Sequence, residues 1–235
     1  MLTDDVFTAF SQLTTAVVCD ACVRLGVPIR SAPPALRPVR AGLRLFGRVL
    51  PVRHYGSVDI FLRTIEAAAP GDVLVIDNAG RTDEACIGDL VVLEAQSAGI
   101  GGIVVWGAHR DTWELSAIEF PVMSCGECPV GPLRLEPEEA DALHSVRFQG
   151  FEVGAEDAVM GDSDGVVFLP LDDVSKVAAE ALGIWRAERK QAQAIREGVS
   201  LRRQLGFSEY MAKRSSDPEY TLRKHLKTLG GAIET

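Results

Sequence analysis

Asp89, Arg110 and Asp111 are the residues of this chain best suited to chemistry. A carboxylate, twenty intervening residues and then an adjacent guanidinium and carboxylate suit a divalent cation together with a small anionic substrate. Hard cations take oxygen ligands, and a guanidinium offers a planar, permanently charged fork to an oxyanion. Folding must bring the three together, and the flanking residues imply that it does. Ile103-Val104-Val105-Trp106 is a short apolar, β-branched run of the kind buried on both faces of a sheet, and Gly107 is expected to break it. Arg110 and Asp111 then fall in the loop at the carboxyl end of that strand, where α/β folds place ligand-binding groups. Asp89 opens the preceding helix, whose apolar segment Leu90 to Ala98 is closed by Gly99. The free backbone N–H groups at that helix start add an anion-binding element to the same sheet edge.

Each of these residues also has a purely structural reading. Asp111 is followed three residues later by Glu114, the spacing of a helix N-cap with its partner, and Asp89 can cap its own helix. Arg110 can be a surface charge. His109 reads as a side chain passing the loop rather than a ligand. Cys19-x-x-Cys22 and Cys125-x-x-Cys128 can in principle share a zinc ion, but about a hundred residues separate them, and reduced, mostly buried thiols are the default reading.

The elements that position this loop alternate in type. Ser11 to Leu25 reads as one helix ended by Gly26, Arg48 to Arg53 as a strand and Val58 to Ala69 as a helix with Ile60, Phe61, Ile65 and Ala68 on one side. Pro70-Gly71-Asp72 turns the chain into the buried strand Val73 to Asp77. A short helix after Asp111 and a strand at Pro121 to Ser124 follow the candidate site. Val146 to Val153 and Val166 to Pro170, with the turn Gly161 to Gly165, read as a strand-rich second half of the same sheet system. Asp172 or Asp173 can cap a long helix reaching Glu197, and Asp217-Pro218-Glu219 is expected to start a last helix with Leu222, Leu226 and Leu229 on one face and Gly230 past its end.

The chain has 235 residues, 47% of them hydrophobic, enough for one full core with appendages. It contains no apolar run of eighteen residues and no basic, apolar leader at its acidic start, so no membrane partner is expected and a cytoplasmic location is. The net charge of −9, with no basic stripe interleaved with aromatics, argues against nucleic acid as a partner. From Arg186 onward eleven Lys and Arg face six Asp and Glu, a net of +5, which leaves the first 185 residues at −14. That tail is either a solvated basic surface or one that docks on the acidic body of a neighbouring subunit. The domain division is placed accordingly, with an α/β domain at 1–185 and a helical extension at 186–235.

Gly71-Asp72-Val73-Leu74-Val75-Ile76-Asp77, Gly88-Asp89-Leu90, Gly99-x-x-Gly102, Gly107-x-x-Arg110-Asp111 and Phe120-Pro121-Val122 follow one another in a set order and spacing. This pattern resembles the RraA-like family over roughly residues 15 to 170. The family includes the class II 4-hydroxy-4-methyl-2-oxoglutarate aldolases, which also decarboxylate oxaloacetate, and the regulator of ribonuclease activity A. Its catalytic members are marked by Asp, twenty residues, then Arg-Asp, a signature that Asp89, Arg110 and Asp111 satisfy. The resemblance implies a compact swivelling β/β/α domain, here with a helical C-terminal tail, assembled as a trimer or hexamer with sites at subunit interfaces. It further implies that Asp111 ligates Mg²⁺ or Mn²⁺ directly and that Asp89 holds metal-bound waters. Arg110 would bind the 2-oxo oxygen, and the backbone N–H groups of Gly88, Asp89, Leu90 and Val91 would receive the substrate carboxylate. An acidic residue from a neighbouring subunit's tail would approach the metal waters, with Glu188 the first candidate and Glu197 the second.

Two departures bear on the substrate. Trp106 stands where many relatives carry Asp, and His109 replaces a position more often small or aliphatic, so both are expected to alter the pocket beside the metal. The expected activity is a metal-dependent lyase that cleaves or decarboxylates 2-oxo acids. The alternative is a non-catalytic regulator that binds a ribonuclease or another protein, against which the complete Asp and Arg-Asp set argues.

Overall fold

The computed structural model describes residues 2–229. The chain begins with two helices, α1 (Asp4–Gln12) and α2 (Thr15–Leu25), followed by the short strands β1 (Arg30–Ser31) and β2 (Arg37–Pro38). Strand β3 (Leu45–Arg53), helix α3 (Asp59–Glu66), strand β4 (Val73–Ile87), helix α4 (Asp89–Ser97), strand β5 (Gly102–His109), helix α5 (Thr112–Ala117) and strand β6 (Val122–Ser124) come next. The hairpin β7 (Ser145–Phe148) and β8 (Phe151–Gly154), the strands β9 (Asp157–Asp162) and β10 (Gly165–Pro170), and the helices α6 (Val174–Arg196), α7 (Leu201–Gln204), α8 (Phe207–Ser216) and α9 (Leu222–Leu229) complete it.

Eight strands form one sheet in the order β1-β10-β9-β3-β4-β5-β6-β2, in which β3 to β6 run parallel and β9 and β10 run antiparallel to their neighbours. Alternation along β4 explains the sheet's central position. Leu74 and Ile76 join Ile103 and Val105 under α3 and α4, whereas Val73 and Val75 join Val104 on the opposite face. That second face is covered by Val146, Phe148 and Val153 of the hairpin, giving the β/β/α layering that the family resemblance implies. A third core packs α1, α2 and α6 against β9 and β10. Leu74 is fully buried at the centre, and its truncation to Ala would cost about 2–5 kcal/mol through the cavity left behind.

Several expectations need correction. The helix expected from Ser11 to Leu25 is two helices bent by 113°, because Leu13 turns extended and packs into the core while Thr14 caps α2 through Val17 N. No single described helix is long and apolar enough to cross a membrane, and the apolar side of the α1–α2 pair faces α6. Gly107 does not end β5. The strand continues to His109, and the glycine is needed because a Cβ there would lie 2.8 Å from Asn78 Cβ. Strand β4 has 15 residues, three times the expected length, and beyond Asp77 its pairing with β5 shifts register on the way to Arg81, to Ala85 and to Ile87. Residues 145–154 form a separate two-stranded sheet rather than part of the main one.

The tail follows expectation in its first helix, which reaches Arg196, and departs from it in its last. Helix α6 passes through position 185 without a break, so the extension at 186–235 grows out of a helix of the body. The last helix begins after Thr221, whose hydroxyl accepts from Lys224 N, while Asp217-Pro218-Glu219 forms the preceding turn. Of its expected apolar face Leu226 is fully buried and Leu229 is half exposed. Gly230 lies outside the described residues.

Candidate active site

The carboxyl ends of the three adjacent parallel strands β3, β4 and β5 open into a cleft of about 450 Å³. Its lining includes the six residues of the body given catalytic, substrate or metal roles from the sequence: Gly88, Asp89, Leu90, Val91, Arg110 and Asp111. Arg110 is fixed at the strand end by its N–H to Ile87 O at 3.0 Å, which ties the end of β5 to the end of β4.

Asp111 settles one of the two readings of its carboxylate. It occupies the N-cap position of α5, but its side chain makes no capping hydrogen bond there. Its backbone is left-handed at φ 58°, a conformation that costs a non-glycine residue of order 1 kcal/mol and persists where the surroundings require it. The result is that Oδ2 turns away from its own helix toward the start of α4, 3.4 Å from Asp89 N and 3.4 Å from Arg110 Nε. Gly88 makes this approach possible, since a Cβ on it would lie 2.1 Å from that oxygen.

Asp89 sits in the first turn of α4, whose N-cap is Gly88, and it does not cap the helix from outside. Its Oδ1 folds back onto Leu90 N at 2.8 Å and its own N–H donates to Asp111 Oδ2 at 3.4 Å, so two of the four N–H groups expected to take a substrate carboxylate already have partners. Among the described residues no group of three or more His, Cys, Asp or Glu side chains is arranged to hold a metal. Two carboxylates beside a guanidinium fit Mg²⁺ or Mn²⁺ carrying several waters and do not fit zinc, which takes three or four protein ligands. The two Cys-x-x-Cys pairs sit in different core clusters, and burial pushes the thiols of Cys19 and Cys125 up and that of Cys22 up to about 11, which disfavours metal-binding thiolates.

Glu188 and Glu197 are not part of the cleft within one chain. Glu188 lies on α6, which packs on α1 and α2, and Glu197 accepts from Gln193 beyond that helix's last turn. Trp106 and His109 also lie outside the lining, contrary to expectation. Trp106 packs over Gly80 and near Phe148 on the hairpin side of the sheet. His109 is buried with both ring nitrogens engaged, Nδ1 at 2.7 Å from Ser124 Oγ and Nε2 at 3.1 Å from Thr112 Oγ1. Neither residue lines the cleft of this chain.

Two contributors escaped the sequence reading. His54 follows β3 directly and lines the cleft, held 3.0 Å from Asn78 and stacked on Phe61. Its position after a parallel strand is the signal that could have found it, because the same rule located Arg110. The second is the irregular segment between β6 and β7, which carries Pro132 into the cleft wall and is pinned by Arg134 to Glu84, Asn78 and the His54 carbonyl. Cys86 also lines the cleft, but burial pushes its thiol strongly up, so it forms a neutral wall rather than a nucleophile.

A family model described as RraA-like, Aldolase/RraA, matches residues 15–168. The chain belongs to the RraA-like family. A provisionally named 4-hydroxy-4-methyl-2-oxoglutarate aldolase of Halalkalibacterium halodurans is 27% identical over 196 residues, 83% of this chain and 90% of that protein. Two solved structures share the RraA-like fold. One is an uncharacterized protein of Pseudomonas syringae pv. tomato, with a TM-score of 0.75 and 24% identity over 85% of this chain and 96% of that one. The other is RraAS2 of Streptomyces coelicolor, described as an unusual member of the RNase ES inhibitor RraA family, with a TM-score of 0.69 and 24% identity over 80% and 96%. Helices α6 to α9 lie beyond the matched RraA-like segment.

Proposed function

We propose that this chain is a divalent-metal-dependent lyase that breaks a carbon–carbon bond of a small 2-oxo acid to release pyruvate, from a 4-hydroxy-2-oxo diacid, from oxaloacetate or from both. The observation that carries the reading is the turn of Asp111 away from its helix to meet Arg110 and the start of α4 in one cleft. The name of the Halalkalibacterium relative points to the same chemistry.

The residues divide the work by their chemistry. Asp111 would hold Mg²⁺ or Mn²⁺ directly and Asp89 would hold its waters. When bound, the ion supplies Lewis-acid stabilisation of negative charge at the 2-oxo oxygen. Arg110 donates to that oxygen and favours the enolate over the ketone, because its own charge is permanent and its fork is already oriented. The N–H groups of Gly88 and Val91 would bind the C1 carboxylate at the positive end of α4, with those of Asp89 and Leu90 joining as the carboxylates of Asp111 and Asp89 release them. Glu188 of a neighbouring subunit in a trimer or hexamer belongs to the same proposal, as does a basic tail docked on an acidic body.

Pyruvate release from a panel of 4-hydroxy-2-oxo diacids and oxaloacetate tests the reading. Activity is expected with added Mg²⁺ or Mn²⁺, to fall to background after chelation and to return when either ion is restored. Full activity after exhaustive chelation sinks the metal site. Absence of pyruvate from every substrate, with inhibition of a ribonuclease instead, selects the regulator.

A further inference from the structure

One titratable side chain of the cleft has no task in that scheme. His54 Nδ1 lies 3.0 Å from Asn78 Oδ1, and the same oxygen lies 2.7 Å from Arg134 NH2. A guanidinium only donates, so Arg134 fixes which end of the Asn78 amide is the oxygen. That oxygen can only accept, so His54 Nδ1 must carry the proton, and a neutral ring then leaves Nε2 with an open lone pair. Phe61 stacks on the imidazole with centroids 5.0 Å apart and an interplanar angle of 19°, fixing the ring plane. Nε2 has no hydrogen bond among the described residues, yet it is not among the atoms sealed from solvent without a partner, as Asn78 Nδ2 is. The ring therefore has one committed edge and one accessible edge, and it lines the cleft.

The surroundings keep the ring neutral. Burial is the largest influence and pushes its pKa below the usual histidine value, and the charge of Arg134 acts in the same direction. The Asn78 hydrogen bond and the carboxylates of Glu84 and Glu136 oppose this without reversing it. A neutral histidine with an accessible nitrogen is a proton acceptor at neutral pH.

On the reading of the cleft as a 2-oxo acid lyase site, we infer that His54 is its proton carrier, Nε2 taking the proton of the substrate's 4-hydroxyl as the C3–C4 bond breaks. The O–H electron pair becomes the new carbonyl bond at C4, and the C3–C4 pair moves into the enolate of pyruvate. The imidazolium then gives its proton to C3, completing the methyl group and returning the ring to its starting state. Decarboxylation of a 2-oxo diacid uses only the second half, with water supplying the proton to Nε2. Asn78 and Arg134 are positioning residues in this scheme, acting through the tautomer they impose.

Long-range ¹H–¹⁵N correlation spectra of the full chain, with His54 assigned by comparison with His54→Gln, are expected to show the Nδ1–H tautomer between pH 7 and 8. An Nε2–H tautomer or an imidazolium overturns the inference. His54→Gln is expected to slow both cleavage and exchange of pyruvate methyl protons in deuterated water by about a hundredfold, with Mn²⁺ affinity measured by paramagnetic resonance unchanged. Retention of exchange within about threefold of the wild type overturns the proton carrier and leaves the lyase reading intact. A wild type that neither cleaves nor exchanges removes the lyase reading and this inference with it. Should His54→Gln fail to fold, Asn78→Asp decides. A carboxylate beside Nδ1–H favours the imidazolium, so the acidic limb of the kcat/KM profile should move up by about one pH unit, and a limb that stays in place overturns the inference.

Discussion

Two arginine–aspartate pairs stand at opposite ends of the same parallel strands and are built in opposite ways. At the amino end, Arg48 grips Asp72 through two hydrogen bonds of 2.9 and 2.6 Å, Ala69 N donates a third at 2.9 Å, and the Asp72 side chain is only 6% exposed. At the carboxyl end, Arg110 and Asp111 meet through a single 3.4 Å contact with side chains 49% and 34% exposed. A carboxylate whose oxygens are already engaged offers little to a ligand. One held loosely, on a strained backbone, keeps its lone pairs for something else. Two histidines at the carboxyl ends of β3 and β5 differ in the same way, since His109, outside the cleft lining, has both nitrogens engaged and His54, within it, has one. Tight pairing marks the groups that hold the fold together, and incomplete pairing marks the groups that line the cleft.

The sharpest break of this comparison is a crossed pair of variants. Asp111→Ala is expected to lower turnover by a thousandfold or more, about 4 kcal/mol at the barrier, with an unchanged urea midpoint. Asp72→Ala should do the reverse, leaving kcat within a few-fold of the wild type while removing about 2–4 kcal/mol of stability, because the Arg48 guanidinium loses its bidentate partner. If Asp111→Ala instead loses stability with its kinetics intact, the carboxylate is structural and the two ends are alike.

Arg110→Lys asks whether the open guanidinium acts through charge or through shape. Lysine keeps the charge but loses the planar fork, so kcat should fall about a hundredfold with a smaller change in KM. Wild-type rates in this variant would leave Arg110 as a surface charge. Gly88→Ala acts more gently on the same pair, placing a methyl group against Asp111 Oδ2. The carboxylate must shift by more than an ångström, and weakening of Mn²⁺ binding by about tenfold is expected. Unchanged affinity would show that the close approach of Gly88 and Asp111 has no part in the site.

The difference between the two ends was only half legible in the sequence. The parallel core was readable because Val73 to Ile76 and Ile103 to Val105 are uninterrupted β-branched and apolar runs, a pattern only a doubly covered sheet explains. The three cleft residues were readable because strand ends and a helix start can be placed from such runs. What could not be read was orientation: a sequence gives Asp111 the spacing of a cap, and only the left-handed backbone turns its side chain the other way. His54 was missed because its importance comes from Asn78 and Arg134, which lie 24 and 80 positions along the chain. Trp106 and His109 misled for a related reason, since β5 continues past Gly107 and their side chains lie outside the cleft lining.

The smallest expected effect reads the burial of His54 by stability alone. In the unfolded chain the imidazole of His54 takes a proton near pH 6.5, and burial holds it below that value in the folded protein. Between those two points the unfolded state binds the proton and the folded state does not, so the group's contribution is complete above the unfolded value and is lost as pH falls through the folded one. His54→Gln has no such dependence. The stability gap between wild type and His54→Gln, followed by urea unfolding from pH 8 to pH 5, should therefore narrow as pH falls. His109 has a pKa lowered in the same direction, but it is present in both proteins and cancels from the difference. A gap that stays constant across that range would mean that His54 enters the fold without losing basicity, and burial would then not be what keeps its ring neutral.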